Sequence, residues 1–214
     1  PPGGVAVVLV DDTLAALQRL AKAYKNQLHV RVVGITGSNG KTTTKDMVAA
    51  VLSTAFRVHK TGGNYNNHIG LPLTLLQLEE DTQIAVLEMG MSGRGEIELL
   101  SRLAEPELAV ITNIGEAHLL QLGSRLEIAR AKTEILAGLL PGGTLVYNGD
   151  EPLIDKVLPE MTAPQRMNAA EYLTVRFGTQ AGNDYVPAGI RMEEKGTFFQ
   201  VNEEAQTLYI PMLG

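Results

Sequence analysis

The sequence predicts an α/β protein: a mostly parallel β-sheet with helices on both faces, followed by a C-terminal antiparallel β meander. Two observations carry this prediction. Short, continuous apolar runs alternate with helical patterns as far as Tyr147, an alternation typical of parallel sheets. From Tyr185 onward, short strand patterns are instead separated by turn residues, as in antiparallel hairpins.

The chain opens with a short apolar run and a helix. Residues 5–10 are apolar and supply one short strand at most. Asp11, Asp12 and Thr13 then offer N-caps to a helix. Four side chains of that helix fall on one apolar stripe: Leu14, Leu17, Ala21 and Tyr24.

The stretch 34–44, Gly-Ile-Thr-Gly-Ser-Asn-Gly-Lys-Thr-Thr-Thr, joins a β-branched run at 30–33 to a helical pattern. At such a turn, backbone N–H groups and the positive end of the helix dipole point at one spot, where phosphate binds. Lys41 adds a charge there, and the Thr42 hydroxyl can ligate Mg²⁺. This is a P-loop-type motif, although Ile35 stands where the general pattern has its first glycine. The same glycines are also compatible with an ordinary turn.

Further strands are predicted at 84–87, 108–111 and 144–147, and ligands of parallel sheets bind where strands end. Glu88 follows the first of these runs, where a Mg²⁺ ligand belongs. His118 lies a few residues beyond the second. The segment 148–150, Asn-Gly-Asp, ends the third, where a base or ribose could bind. Each position is also compatible with a solvated loop.

Lys132 falls on the apolar face of a predicted helix that begins with the capping pair Ser124 and Glu127. The apolar stripe comprises Ile128, Ala131, Ile135 and Leu139. One interpretation is that the Lys132 stem covers apolar surface while its ammonium reaches water. The other is a desolvated amine with a lowered pKa, partly neutral and able to react.

Two remaining segments are polar or β-rich. Residues 62–70 are dense in glycine and asparagine, which suits a second loop near phosphate or an ordinary turn. Strands of the meander are predicted at 185–190, 197–201 and 207–210, as a small subdomain or as an extension of the main sheet.

The composition excludes several classes of function. The 214 residues carry a net charge of −6 and no Lys/Arg cluster, which argues against a nucleic-acid partner. With no cysteine, the chain has no disulfide, thiolate metal site or Cys nucleophile. No apolar run reaches membrane-spanning length, and we expect a cytoplasmic protein. The end at residues 211–214, with no closing helix, suggests a piece of a longer protein.

Several motifs, in this order, resemble the central ATPase domain of the Mur ligase family, the ATP-dependent amide-forming enzymes that build the peptide stem of bacterial peptidoglycan. They lie at 36–44, 63–72, 88–90, 112–118, 131–134 and 148–150. Within the family, residues 41–47, 66–76 and 88–97 are most similar to the branch that adds D-alanyl-D-alanine to UDP-N-acetylmuramoyl-tripeptide.

The resemblance implies a site for ATP and two Mg²⁺ ions. Lys41, His118 and Lys132 would be catalytic, with Lys132 carried as a carbamate. The metal ligands would be Thr42, Glu88, His118 and Lys132. The nucleotide would contact Gly37, Ser38, Asn39, Gly40, Lys41, Thr42, Thr43, Asn67, Asn113, Asn148 and Asp150. Asn66 would also lie near phosphate or metal.

The resemblance also implies a domain organisation. Residues 1–11 would be the tail of an N-terminal substrate domain, and 12–214 a central ATP-binding domain whose β-rich part, 170–214, is cut short. A C-terminal domain would be absent. We therefore expect a monomer that is inactive as a ligase in this 214-residue form. The alternatives are another Mur or folylpolyglutamate-type ligase, or a non-catalytic nucleotide-binding switch.

Overall fold

The computed structural model describes residues 4, 6–161, 172–202, 204 and 206–212. Its main sheet has six parallel strands in the order β2-β3-β1-β4-β5-β6. The strands are β1 (Arg31–Thr36), β2 (Val58–Lys60), β3 (Ile84–Glu88), β4 (Leu108–Ile111), β5 (Thr144–Asn148) and β6 (Leu173–Phe177). The predicted parallel sheet is thus confirmed.

The predicted meander is also confirmed, and it forms a separate antiparallel sheet rather than an extension of the main one. Its strands are β7 (Pro187–Glu193), β8 (Gly196–Val201) and β9 (Leu208–Ile210). Strands β2 and β6 were not predicted. Both lie at the edges of the main sheet, where a strand has a neighbour on one side only and is partly exposed to solvent. An edge strand therefore does not need the continuous apolar run that identifies a central strand.

Seven α-helices connect the strands within the described residues. They are α1 (Thr13–Lys25), α2 (Lys41–Leu52), α3 (Gly70–Leu75), α4 (Glu96–Ala104), α5 (Leu119–Leu122), α6 (Arg125–Thr133) and α7 (Pro152–Met161). A 3₁₀-helix at Glu134–Gly138 continues directly from α6. The predicted N-cap of α1 is confirmed, because an Asp12 carboxylate oxygen accepts a hydrogen bond from the Ala15 N–H at 2.9 Å.

The two faces of the sheet are packed unequally. Because successive strand residues point to opposite faces, Val32 joins a large core with α1, α3, α4, α6 and α7, whereas Val33 and Ile35 face α2. Within the described residues, α2 is the only helix packed on that second core. Beside it lies an apolar groove of about 860 Å³ that reaches Asn39 and Gly40.

The N-terminal apolar run is not a strand where it can be described. Residues 6–10 have no regular secondary structure, and the Leu9 side chain is 93% exposed. The reason is that this segment pairs with no strand of either sheet. Val5 lies outside the described residues, as do residues 1–3, 170–171 and 213–214 of the predicted terminal segments. None of the helices described is long and apolar enough to cross a membrane.

Candidate active site

The loop between β1 and α2 has the backbone that its glycines predict. Gly37 has φ +148°, and a Cβ atom there would lie 1.8 Å from the Thr112 hydroxyl oxygen. Gly40 has φ +76° and sits at the N-terminus of α2. Both positions therefore require glycine, the first for close approach and the second for its left-handed conformation.

The loop after β4 is hydrogen-bonded to this P-loop. Asn113 accepts two hydrogen bonds from it, at its backbone oxygen from the Ser38 N–H (3.1 Å) and at its side-chain oxygen from the Asn39 N–H (2.9 Å). The Thr112 hydroxyl donates to the Asn39 carbonyl at 2.6 Å. The Asn113 side chain thus orients the P-loop backbone itself.

Lys41 and Thr43 occupy the first turn of α2. The Lys41 ammonium donates to the Gly37 carbonyl at 2.9 Å, so it folds back over the loop. Burial lowers its pKa, and the negative charge of Glu88 opposes this shift. Thr43 is exposed, while the nearby Ser38 hydroxyl is buried and has no hydrogen-bond partner.

Glu88, at the end of β3, faces Thr42 across the site. Its carboxylate is 3% exposed and accepts hydrogen bonds from the Thr42 hydroxyl and the Asn66 side-chain amide, both at 2.8 Å. The Asn66 carbonyl also accepts from the Gly90 N–H at 2.7 Å. A Cβ atom at Gly90 would lie 2.9 Å from the Asn66 side chain, so glycine there lets the amide reach Glu88.

His118 lies in the loop between β4 and α6, with a left-handed backbone (φ +69°) just before the short helix α5. Its pKa is lowered, first by burial and then by the positive charges of Lys132 and Lys41. His118 therefore lies within electrostatic range of both lysines, and this is the extent to which the structure brings the three predicted catalytic residues together.

Lys132 is 0% exposed, and its amine has no hydrogen-bond partner. Burial and the positive charge of Lys41 lower its pKa to about 7, whereas the negative charge of Glu134 acts to raise it. The stem of Lys132 therefore does not carry the ammonium to water, and the amine is partly neutral at physiological pH. Of the two interpretations of this residue, the structure supports the desolvated amine.

The helix that carries Lys132 begins as predicted but ends early. The Ser124 hydroxyl accepts from the Glu127 N–H at 3.2 Å, as half of the predicted capping pair. The Glu127 carboxylate binds Arg94 and Arg130. The α-helical turn ends at Thr133, so Ile135 and Leu139 pack from the 3₁₀-helix and its C-cap.

Two predicted nucleotide contacts have partners within the chain. The Asn67 side-chain oxygen accepts from the N–H groups of Ile69 (3.1 Å) and Gly70 (2.8 Å) at the start of α3. The Asn148 side-chain oxygen accepts from the Asp150 N–H at 3.0 Å, which closes the turn after β5. In each case the side-chain NH₂ group is the part left to bind a ligand.

Asp150 holds the turn that follows β6. Its carboxylate accepts from the Thr179 N–H (2.6 Å) and hydroxyl (2.8 Å), the Gln180 N–H (3.1 Å) and the Asn183 amide (2.8 Å). These bonds, led by that of the Thr179 backbone, lower the pKa of Asp150 to about 2. A Cβ atom at Gly178 would lie 2.3 Å from this carboxylate. The role that the structure shows for Asp150 is thus to shape this turn.

Replacing Asp150 with asparagine should loosen the turn at 178–183. Because the folded-state pKa is lowered, the stabilising effect is present above the ordinary pKa of aspartate and is lost as the pH falls through about 2. We expect faster hydrogen exchange at the Thr179 and Gln180 amides at neutral pH. Asp81→Asn, at an exposed ion pair with Arg57, is the control, and equal protection in both variants would contradict this role.

Sequence reasoning missed several residues that organise the site. Lys45 is 4% exposed and donates to the Thr61 carbonyl, and no periodicity marks it as buried. Glu134 is also 4% exposed, and it binds Arg94 and the Gly95 N–H, fixing the loop after β3 against the helix of Lys132. Their partners are remote in sequence, so no local pattern identifies them.

Comparison with known proteins places this geometry in a family. The Mur ligase middle domain model matches residues 35–214. The chain is 58% identical over its whole length to the UDP-N-acetylmuramoyl-tripeptide--D-alanyl-D-alanine ligase of Bacillus subtilis. It is 45% identical over 84% of its length to the enzyme of the same name from Synechocystis. It covers 44% and 38% of these proteins, less than half of each.

Solved structures of similar fold include members of the same family. A structure of MurF from Acinetobacter baumannii superposes with a TM-score of 0.84 at 33% identity, over 100% of this chain and 46% of that one. For MurF ligase from Thermotoga maritima in complex with ADP, the TM-score is 0.82 at 32% identity, over 97% and 46%. At 17% identity and a TM-score of 0.67, a mutant of L. casei FPGS, of which the chain covers 60%, shares the fold. Since the middle-domain model matches most of the chain, the chain belongs to the Mur ligase family.

Proposed function

We propose that the chain is the ATP-binding domain of a ligase that adds D-alanyl-D-alanine to UDP-N-acetylmuramoyl-tripeptide. The observation that carries the proposal is a P-loop in which Thr42 bonds to Glu88, together with the buried amine of Lys132, which lies within electrostatic range of Lys41. Relatives that bear the name of that enzyme, at 58% and 45% identity, support the choice of substrates.

We further propose the organisation of the whole protein. Residues 12–214 are its central domain, residues 1–11 end a preceding substrate domain, and a C-terminal domain follows. Relatives more than twice as long as this chain support that arrangement. We also propose that the whole protein is cytoplasmic and monomeric.

ATP is proposed to bind with its phosphates on the P-loop. Backbone N–H groups from Gly40 to Thr43, at the N-terminus of α2, provide the anion site, and Lys41 turns from the Gly37 carbonyl to the phosphates. Free side-chain NH₂ groups on Asn67 and Asn148 are available to further parts of the nucleotide, while Asn113 and Asp150 hold the loops in place. The ADP complex of Thermotoga maritima MurF supports an adenine nucleotide.

The residues fit two Mg²⁺ ions only together with other ligands. No group of three His, Cys, Asp or Glu side chains in the described residues could hold a metal alone. Thr42 and Glu88 offer oxygen ligands for one ion, with phosphate oxygens completing its shell. His118 and Lys132 would hold the second. When bound, the ions neutralise charge on the phosphoryl group that is transferred.

Lys132 can become a metal ligand only by modification. A neutral amine attacks CO₂, the N–C bond forms, and one proton is lost to give an anionic carbamate. The buried amine with a pKa of about 7 is suited to this step, because its neutral form is populated near physiological pH. The carbamate would replace the buried positive charge with a negative one, which the nearby charge of Lys41 and a bound cation would offset.

The reaction then needs no side-chain nucleophile. The peptide carboxylate attacks the γ-phosphorus of ATP, which gives an acyl phosphate and ADP. The amine of D-alanyl-D-alanine attacks the acyl carbon, and inorganic phosphate leaves. Lys41 contributes a fixed positive charge near the transferred group.

The test is ATP-dependent ligation by the full-length protein. We expect product with D-alanyl-D-alanine and less than about one-hundredth of that rate with glutamate or a diamino acid, because a site built to bind specific polar groups rejects analogues that lack them. Preference for another acceptor would indicate a different ligase branch. Nucleotide binding without ADP formation would indicate a switch. The 214-residue chain alone should bind nucleotide and form no product.

A further inference from the structure

We propose that Lys45 and Thr61 are a positioning pair that holds Glu88 at the correct distance from Thr42, and so sets the affinity of the P-loop for a divalent cation with its nucleotide. The inference rests on the proposed function, since it takes Thr42 and Glu88 as the cation ligands. Neither Lys45 nor Thr61 belongs to the predicted nucleotide or metal contacts.

Lys45 is a buried lysine on the helix that carries Lys41 and Thr42. It is 4% exposed, and its ammonium donates to the Thr61 carbonyl at 2.9 Å and lies 3.3 Å from the Asp46 carboxylate. Burying a charge is costly unless partners compensate for the lost water. The buried ammonium is compensated by these two partners, and through Thr61 it is joined to the residue that follows β2.

Thr61 connects that contact to β3. It is 0% exposed, its N–H donates to the Val86 carbonyl at 3.0 Å, and its hydroxyl oxygen accepts from the Glu88 N–H at 3.0 Å. With the bond from Lys45, its N–H, carbonyl and hydroxyl are all engaged. A residue with every polar group committed has little freedom to shift.

Two routes thus join the P-loop helix to the end of β3. One is the direct hydrogen bond from Thr42 to Glu88. The other runs from Lys45 through Thr61 to the Glu88 backbone. When a cation binds, its bonds would replace the direct hydrogen bond. The route through Thr61 would then be the remaining link from α2 to Glu88, beside the pairing of β1 with β3. Mg²⁺ demands near-ideal octahedral geometry with short bonds, so a small drift in that spacing weakens binding.

The test is the Mg²⁺ dependence of nucleotide binding in full-length protein, measured by calorimetry with ADP. Thr61→Val removes the hydroxyl and keeps the shape. We expect it to raise the Mg²⁺ concentration for half-maximal binding about 10-fold, the usual effect of losing a group that orients a metal ligand. Binding of ADP in EDTA should be unchanged, and Thr61→Ser should restore the Mg²⁺ dependence.

The matched control is Thr74→Val. Thr74 is 1% exposed, and its hydroxyl donates to the Gly70 carbonyl within α3, so the change costs a buried hydrogen bond away from the P-loop. It should lower the thermal midpoint as Thr61→Val does and leave the Mg²⁺ dependence unchanged. A general loss of stability therefore cannot produce the expected pattern.

Lys45→Met, which keeps the length of the side chain, should shift the Mg²⁺ dependence in the same direction, and Lys45→Arg should restore part of it. This pair carries the test if Thr61→Val does not fold. Folded variants with the wild-type Mg²⁺ dependence would overturn the positioning role while the proposed function stands. Wild-type protein that binds no Mg²⁺-nucleotide would overturn both.

Discussion

Replacing Lys132 with methionine is expected to stabilise the folded protein and to abolish the ligase activity proposed for the full-length protein. The amine is fully buried and unpartnered, and its pKa is about 7 instead of the ordinary 10.5. At pH 7 in CO₂-free buffer, the folded state therefore carries an uncompensated cost that methionine removes. We expect the free energy of unfolding to rise by on the order of 3 kcal/mol, measured by urea denaturation.

The pH dependence identifies the cause of that gain. Between pH 7 and 10.5 the unfolded state binds more protons at Lys132 than the folded state, so wild-type stability rises with pH across this window. Below pH 7 both states are protonated and the full cost is present. Lys132→Met should lack this slope, whereas Lys156→Met, at an exposed position, should retain it. A destabilised Lys132→Met with the wild-type slope would contradict the burial argument.

Activity provides an independent measure of Lys132. We expect turnover of the full-length protein to fall more than about 100-fold in both Lys132→Met and Lys132→Ala, because neither side chain can form the proposed carbamate that would hold a cation. The alanine variant leaves space, so added acetate or carbonate should restore part of the rate, while the methionine variant should not respond. A nucleotide switch would be indifferent to all of these changes.

The second large effect is expected for Lys41→Ala, which should weaken Mg²⁺-ATP binding by at least about 100-fold. A fixed positive charge at a half-buried phosphate site contributes several kcal/mol that backbone N–H groups cannot replace. Titration calorimetry with ATP and GTP measures both affinity and base preference. Lys60→Ala removes an exposed lysine paired with Asp46 and should bind like wild type. Equal affinities of Lys41→Ala and wild type for Mg²⁺-ATP would contradict the P-loop assignment.

The same variant has a second consequence. The Lys41 charge lowers the pKa of both His118 and Lys132, so its removal should raise both pKa values. The His118 pKa can be followed by NMR titration in the absence of ligands. An unchanged His118 titration would mean that these side chains are farther apart than the structure places them.

Central strands and capped helices were predicted from sequence because their signals are local. The runs at 84–87, 108–111 and 144–147 became β3, β4 and β5, and Asp12 and Ser124 cap the helices that they were expected to cap. The edge strands β2 and β6 were not predicted, because partly solvated strands mix polar and apolar residues and so lack a continuous apolar run. The apolar run at 6–10 is not a strand, because apolar residues alone do not supply a neighbouring strand with which to pair.

The phosphate-binding loop, the parallel sheet and the types of side chain at the strand ends follow from local sequence, since they depend on neighbours a few residues away. Which of those side chains contact one another depends on the packing of the whole chain. Glu88 lies 46 residues from Thr42, and Asn113 lies 74 from Asn39. The buried, unpartnered state of Lys132, the commitment of Asp150 to a turn, and the Lys45–Thr61 pair all arise from such distant contacts. Burial and hydrogen-bond partners belong to the packed chain, so no local pattern records them.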